Sequence, residues 1–192
     1  MCDTISGVVR RLHQKVLDQE CHTSGHNVRN GERYVELRNV QLVIPYTVNW
    51  IIDAPEYEEL VDGKWYDEHY TMRIGWQIQP VVEELIRNRD SRHAILMFYE
   101  PLDVYRHDMP CTMYVSLRLN DMSESHTGLT YTIHMRSSDI REFRSDLKYH
   151  RDISDYIALE LTEKTGWNIV QNPMVLVADS LQCWDKDFEF LK

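Results

Sequence analysis

The sequence predicts an α+β fold, a mainly antiparallel sheet with helices packed on it. Three observations carry this. Residues 33–44, 112–119 and 129–136 alternate apolar and polar side chains and are rich in β-branched types, the pattern of half-buried strands. Residues 5–19, 76–88 and 152–165 space their apolar side chains at helical intervals. The 192 residues contain no internal repeat or low-complexity segment, and that length suits one domain, residues 1–192, around a single core.

In chain order, residues 5–19 (ISGVVRRLHQKVLDQ) place Val8, Val9, Leu12, Val16 and Leu17 on one helical face. A polar loop with two glycines follows. RYVELRNVQLVI at 33–44 is a strand, and 45–75 is mixed and aromatic-rich, without a clear period. WQIQPVVEELIRN at 76–88 is a helix whose Pro80 fits only near its first turn, because proline lacks the N–H that an interior position needs. AILMFY at 94–99 is a short buried strand. TMYVSLRL (112–119) and LTYTIHMR (129–136) are strands around a loop at NDMSESHTG. DISDYIALELTEKT at 152–165 is a helix with acids in its first turn, where they suit the dipole, and Gly166 is its stop. PMVLVADSLQC at 173–183 is a last strand.

Composition excludes several classes. The formal charge is −10, a field that repels a phosphate backbone, so nucleic acid is not an expected partner. No apolar run approaches the ~20 residues of a membrane span, and Met1 to Arg11 lack the apolar core of a secretory signal, so the expected location is the cytoplasm. Cys2, Cys21, Cys111 and Cys183 are scattered without a CxxC pair, which argues against a disulfide framework. Cys21, His22 and His26 are close in sequence but match no standard zinc spacing, and no metal is expected there.

A small anionic ligand needs only a local group of arginines. Cys111, just before a strand, would alone read as a buried filler. Its company changes the reading. Arg136, Ser137, Ser138 and Asp139 close the second strand after it, and Arg92 and His93 precede the strand before it. Arginine favours a thiolate, and arginine with serine makes a phosphate clamp.

These residues resemble a known family. DSRHAILMFYEP, MPCT, MRSSD, DISDY and ADSLQCWDKD stand in the order and rough spacing of the thymidylate synthase and pyrimidine hydroxymethylase family. WYDEHYTMRIGWQIQPVVEELIRNRDSRH is similar to that family's tyrosine-glycine segment and the helix before its paired arginines. The resemblance covers residues 65–187 well and 5–44 loosely.

It implies a thymidylate synthase-like fold and a pyrimidine nucleoside monophosphate as substrate. Cys111 would add to C6 of the base. Arg136 and Ser137 would hold the phosphate, joined by Arg29 from the loop VRNGE and, across a homodimer interface, by Arg92. His93 stands where the family has its second arginine. Asp139 would contact a pterin and a water network, which makes 5,10-methylenetetrahydrofolate the implied cofactor. Asp152 stands at a base-reading asparagine; a carboxylate accepts where an amide also donates, so it suits the N4 amine of cytosine and a CMP or dCMP substrate. The plain alternative for Asp152 is a helix N-cap or first-turn acid. Gln182 and Trp184 replace a histidine and a tyrosine that bind the sugar hydroxyl.

Two departures bear on the reaction. The family's catalytic glutamate has no clear match; Glu56, Glu58 and Glu59 are candidates, with a charged turn as the bland alternative. The chain runs about eight residues past SLQCW, where the family continues into a tail that closes over the folate. An open site favours hydroxymethylation, in which water captures the one-carbon unit, over hydride transfer in a dry site. The alternative is a nucleotide-binding relative that has lost folate chemistry and serves as an accessory subunit or a folate-free C5-modifying enzyme.

Overall fold

The structure is a computed structural model that describes residues 11, 14, 27–29, 32–46, 67–105, 109–123, 125–140 and 142–184. The helix expected over 5–19 lies outside these residues apart from positions 11 and 14.

Eight described strands form one sheet: β1 (Asn27–Arg29), β2 (Glu32–Ile44), β3 (Ile95–Met97), β4 (Thr112–Ser123), β5 (His126–Met135), β6 (Ser138–Asp139), β7 (Ile169–Gln171) and β8 (Met174–Trp184). The spatial order is β1-β2-β8-β5-β4-β3, with β6 on β8 and β7 on β5. The outer pairs are antiparallel, as expected, while β8 joins β5 and β6 in parallel and β7 joins β5 in parallel. The helices described in full are α1 (Met72–Arg87) and α2 (Phe143–Thr165).

The core lies on one face of the sheet. Val115, Leu117 and Leu119 of β4 and Leu129, Tyr131, Ile133 and Met135 of β5 point inward at alternate positions, as the two-residue period of a strand requires. In β8 this alternation changes phase. Met174, Leu176 and Ala178 are buried, then Leu181 and Cys183. The paired strand β2 changes phase at the same level, where Asn39 adopts φ +53°, a left-handed conformation that asparagine tolerates better than most residues. The shift leaves Ser180, Gln182 and Trp184 on the face opposite Leu181 and Cys183.

Several sequence expectations are corrected. α1 begins at Met72, after a π-helical turn over Asp67–Thr71, so Pro80 sits well inside the helix. Proline removes the hydrogen bond to the Trp76 carbonyl, and both residues lie on the exposed side, where water can replace the lost donor. β3 is an edge strand with Ile95 and Met97 exposed and only Leu96 buried, and the side-chain amide of Gln77 both donates to and accepts from the Met97 backbone, covering the open edge. β4 and β5 run further than expected and leave a short turn between Ser123 and His126.

The largest correction is α2. It starts at Phe143, nine residues before the expected Asp152, so the first turn holds Asp146 and neither Asp152 nor Asp155. Its buried stripe is Phe143, Asp146, Leu147, His150, Ile153, Ser154, Ile157 and Leu161, a helical period in which each early turn includes a polar side chain. Each of these finds a partner on the sheet side: Asp146 accepts from Ser138, His150 bonds Thr112 and Tyr131, and Ser154 donates to Gln171. Gly166 ends the helix as expected, with φ +71° and its N–H on the Thr162 carbonyl.

Candidate functional site

Cys111 lies at the entry to β4, against the chain as it leaves β5. The Arg136 N–H donates to the Cys111 carbonyl at 3.0 Å. The guanidinium of Arg136 donates from Nε to the Pro110 carbonyl at 3.1 Å and from Nη2 to the Met109 carbonyl at 2.9 Å. Arg136 therefore braces the loop that carries the cysteine, and among the described residues it makes no ion pair. Its charge is held in place with donors to spare, which suits a dianionic phosphate. The Ser137 side chain acts on the thiol in the same sense as Arg136, favouring its ionised form.

Arg136 favours the thiolate, as expected, but it is outweighed. Burial, reinforced by the negative charge of Asp146, pushes Cys111 up to about 11 against the opposing pull of Arg136 and Ser137; Glu142 adds in the same direction as Asp146. At neutral pH the group is a thiol. Asp146 is 4% exposed and accepts from the Ser138 hydroxyl at 2.9 Å. It is the buried carboxylate of this site, and the sequence reading had not singled it out.

Asp139 and Gln182 come together with the cysteine loop through the sheet. Residues Ser138 and Asp139 pair with Leu181 and Gln182, and the Ile140 N–H donates to the Gln182 carbonyl at 2.8 Å. On the same face as Gln182, Ser180 receives the Gln182 amide at 3.3 Å and donates to the buried carboxylate of Glu36 at 2.7 Å, which also pairs with Arg38. Trp184 continues this face and packs on Tyr34, ring centroids 5.0 Å apart. The backbone of Arg29 stands in β1 opposite Glu32, at the same end of the sheet as Trp184.

The remaining expected residues lie elsewhere. Asp152 is on the outer side of α2, its side chain 62% exposed and paired with Lys148 at 2.8 Å. It is neither N-cap nor first-turn acid, and it faces away from the stripe that reaches Cys111. Arg92 is exposed in the turn between α1 and β3; His93, 85% exposed, lies 4.0 Å from Glu84. The neighbouring Ala94 carbonyl accepts from Leu117, six residues along β4 from Cys111, about 20 Å at the rise of a strand. An arginine there does not reach the Cys111 loop of its own chain. Glu56, Glu58, Glu59, Cys21, His22 and His26 lie outside the described residues. Among the described residues no group of three or more His, Cys, Asp or Glu is arranged to hold a metal, and no helix is long and apolar enough to cross a membrane.

A likeness among solved structures matches this arrangement. The thermostable thymidylate synthase A from Bacillus subtilis superposes with a TM-score of 0.62 over 98% of this chain and 82% of that one, at 11% sequence identity. The fold is thymidylate synthase-like. No protein-family model matches the sequence, and no curated protein matches it significantly. At that identity the likeness speaks for the thymidylate synthase-like sheet and its helices, and the roles of individual side chains rest on the geometry above.

Sequence reasoning had one signal that would have found Asp146 and His150. Read back from Ile157 in steps of three and four, the period of α2 continues through Ile153, His150, Leu147, Asp146 and Phe143. The polar residues at these positions break an apolar-only pattern and hide the first half of the helix.

Proposed function

We propose that this chain is a pyrimidine nucleoside monophosphate C5 hydroxymethyltransferase, with CMP or dCMP preferred, acting through Cys111. The observation that carries the reading is the thiol of Cys111 under the influence of Ser137, the guanidinium of Arg136, which makes no ion pair among the described residues, and the buried carboxylate of Asp146.

In the proposed step the Cys111 sulfur bonds C6 of the base, the C5–C6 π pair moves onto C5, and the thiol proton leaves. A thiol held near pH 11 gives that proton to water as the sulfur–carbon bond forms, and the Arg136 charge favours the anionic sulfur. Arg136 and Ser137 hold the phosphate, joined by Arg29. Gln182 and Trp184 face the sugar. For the base, an inward carboxylate on α2 can accept from the N4 amine of cytosine. Asp146 meets that requirement, whereas Asp152 points to solvent.

Folate fits at Asp139, a half-buried acceptor beside Gln182 that suits the N–H donors of a pterin ring. When bound, 5,10-methylenetetrahydrofolate supplies the one-carbon unit. The proposed homodimer uses the sheet face opposite α1 and α2, where Val43, Ile95 and Met97 are exposed and Tyr114 stacks on His134 with centroids 4.2 Å apart. A partner subunit would then bring Arg92 and His93 to the phosphate. The proposed setting is cytoplasmic.

A thermal-shift panel of CMP, dCMP, UMP and dUMP, with and without methylenetetrahydrofolate, tests the binding half of this proposal. A ligand that binds the folded state at about 100 times its Kd stabilises it by about 2.7 kcal/mol. Selective stabilisation by a cytosine nucleotide is expected; equal, zero shifts across the panel would end the proposal.

A further inference from the structure

Addition to a ring carbon requires the sulfur to be aimed, and the start of β4 contains a device for aiming it. Thr112 pairs with Met135 and Tyr114 with His134, so Met113 is an extra residue against β5, a β-bulge directly after Cys111. Simple alternation back from Val115 would turn Thr112 outward with Tyr114. The bulge instead turns Thr112 inward, fully buried, against α2. The extra residue is tied down as well: the Met113 carbonyl accepts from both Phe98 at 3.0 Å and Tyr99 at 3.1 Å.

The inward Thr112 meets a closed chain of hydrogen bonds. Its Oγ1 lies 2.9 Å from His150 Nε2, and His150 Nδ1 lies 3.1 Å from the Tyr131 hydroxyl. Its N–H donates to the Tyr70 hydroxyl at 3.3 Å. His150 is fully buried, and burial lowers it to about 3, so the ring is neutral, with one nitrogen donating and the other accepting. Rings of Tyr70, Phe98, Tyr131 and Tyr149 surround it at centroid distances of 5.5 to 6.5 Å. Tyr131 is itself buried in the core. The chain thus has no outlet to water at that end, and it serves to hold atoms in place rather than to carry protons.

We infer that Thr112, His150 and Tyr131 form a positioning clamp that locks the bulge after Cys111 and so fixes where its sulfur points. This rests on Cys111 being the nucleophile of the proposed reaction. Thr112 and His150 act through Cys111 and touch no substrate in this account.

Thr112→Val keeps the β-branched shape and removes the hydroxyl; Thr112→Ser keeps the hydroxyl. The two variants and His150→Asn are alkylated with iodoacetamide near neutral pH, and modification of Cys111 and of the buried Cys183 is followed separately by mass spectrometry. In parallel, kcat and KM for exchange of the C5 hydrogen of the nucleotide are measured. Release of the clamp predicts that Thr112→Val and His150→Asn raise Cys111 alkylation about tenfold with Cys183 unchanged. It also predicts a fall in kcat of about 10²-fold with KM nearly constant, as expected for a misplaced reacting group. Thr112→Ser should behave as wild type in both assays. Unchanged Cys111 alkylation in Thr112→Val overturns the clamp. So does a parallel rise at Cys183, which would mean general loosening. If the wild type exchanges no C5 hydrogen, the nucleophile reading fails by itself, and the alkylation contrast still decides whether the clamp exists.

Discussion

Two places along β4, around Cys111 and beside Leu117, are built in opposite ways. Around Cys111 the chain is closed on itself: Arg136 grips the loop carbonyls, Ser138 bonds a buried Asp146, and His150 joins Thr112 to Tyr131. Beside Leu117, Arg92 and His93 are exposed, and His93 lies 4.0 Å from Glu84. The first place is organised within one chain. The second presents Arg92 to solvent, without an ion pair among the described residues. The contrast teaches that exposed cations at a sheet edge gain meaning only from a second molecule, whereas a buried carboxylate must be justified by what lies next to it.

The sharpest way to break this contrast is to separate its two ends. Cys111→Ala and Arg92→Ala should each strongly impair C5 exchange. Mixed after joint refolding, they should recover about a quarter of wild-type activity, because half the dimers are hybrids with one whole site of two. No recovery, with full dimer exchange shown by mass spectrometry, would place Arg92 outside the site.

A smaller effect concerns the buried end alone. His150 has its ordinary pKa in the unfolded chain and one lowered to about 3 when folded. Between these values the unfolded state binds the proton and the folded state does not, so stability is full above about 6.5 and is lost as pH falls toward 3, by up to about 5 kcal/mol. Urea midpoints measured from neutral to acid pH should show this slope. His150→Leu should flatten it, at a cost of about 2–3 kcal/mol at neutral pH from the orphaned hydroxyls of Thr112 and Tyr131.

Next in size, Asp146→Asn removes the anion that raises Cys111, so the thiol should ionise at lower pH and react about tenfold faster with iodoacetamide near neutral pH. A slower reaction would contradict the electrostatic account. The smallest effect belongs to Asp152→Asn. It removes an exposed pair with Lys148 worth about 0.3–0.5 kcal/mol and should leave the preference between cytosine and uracil nucleotides unchanged. A switch in base preference would return the base-reading role to Asp152.

The strands and the cysteine loop were legible in the sequence because their signals are local. RYVELRNVQLVI, TMYVSLRL and PMVLVADSLQC alternate as strands do, and MPCT and MRSSD are short, ordered motifs. The first half of α2 was not legible because its inner stripe holds Asp146 and His150, which look like surface residues until their partners 8 and 38 residues away are known. The same gap left Asp152, which lies on the outer side of the helix, as the acid that stood out in the sequence. The bulge after Cys111 was hidden for a related reason: one extra residue changes the facing of Thr112 without changing composition.

The central claim is that Cys111 attacks a pyrimidine ring. Release of tritium from C5-labelled CMP or dCMP measures it directly, since exchange at C5 requires prior addition at C6. The account predicts release by the wild type and none above background with Cys111→Ala. No release by the wild type, or equal release by Cys111→Ala, would contradict it.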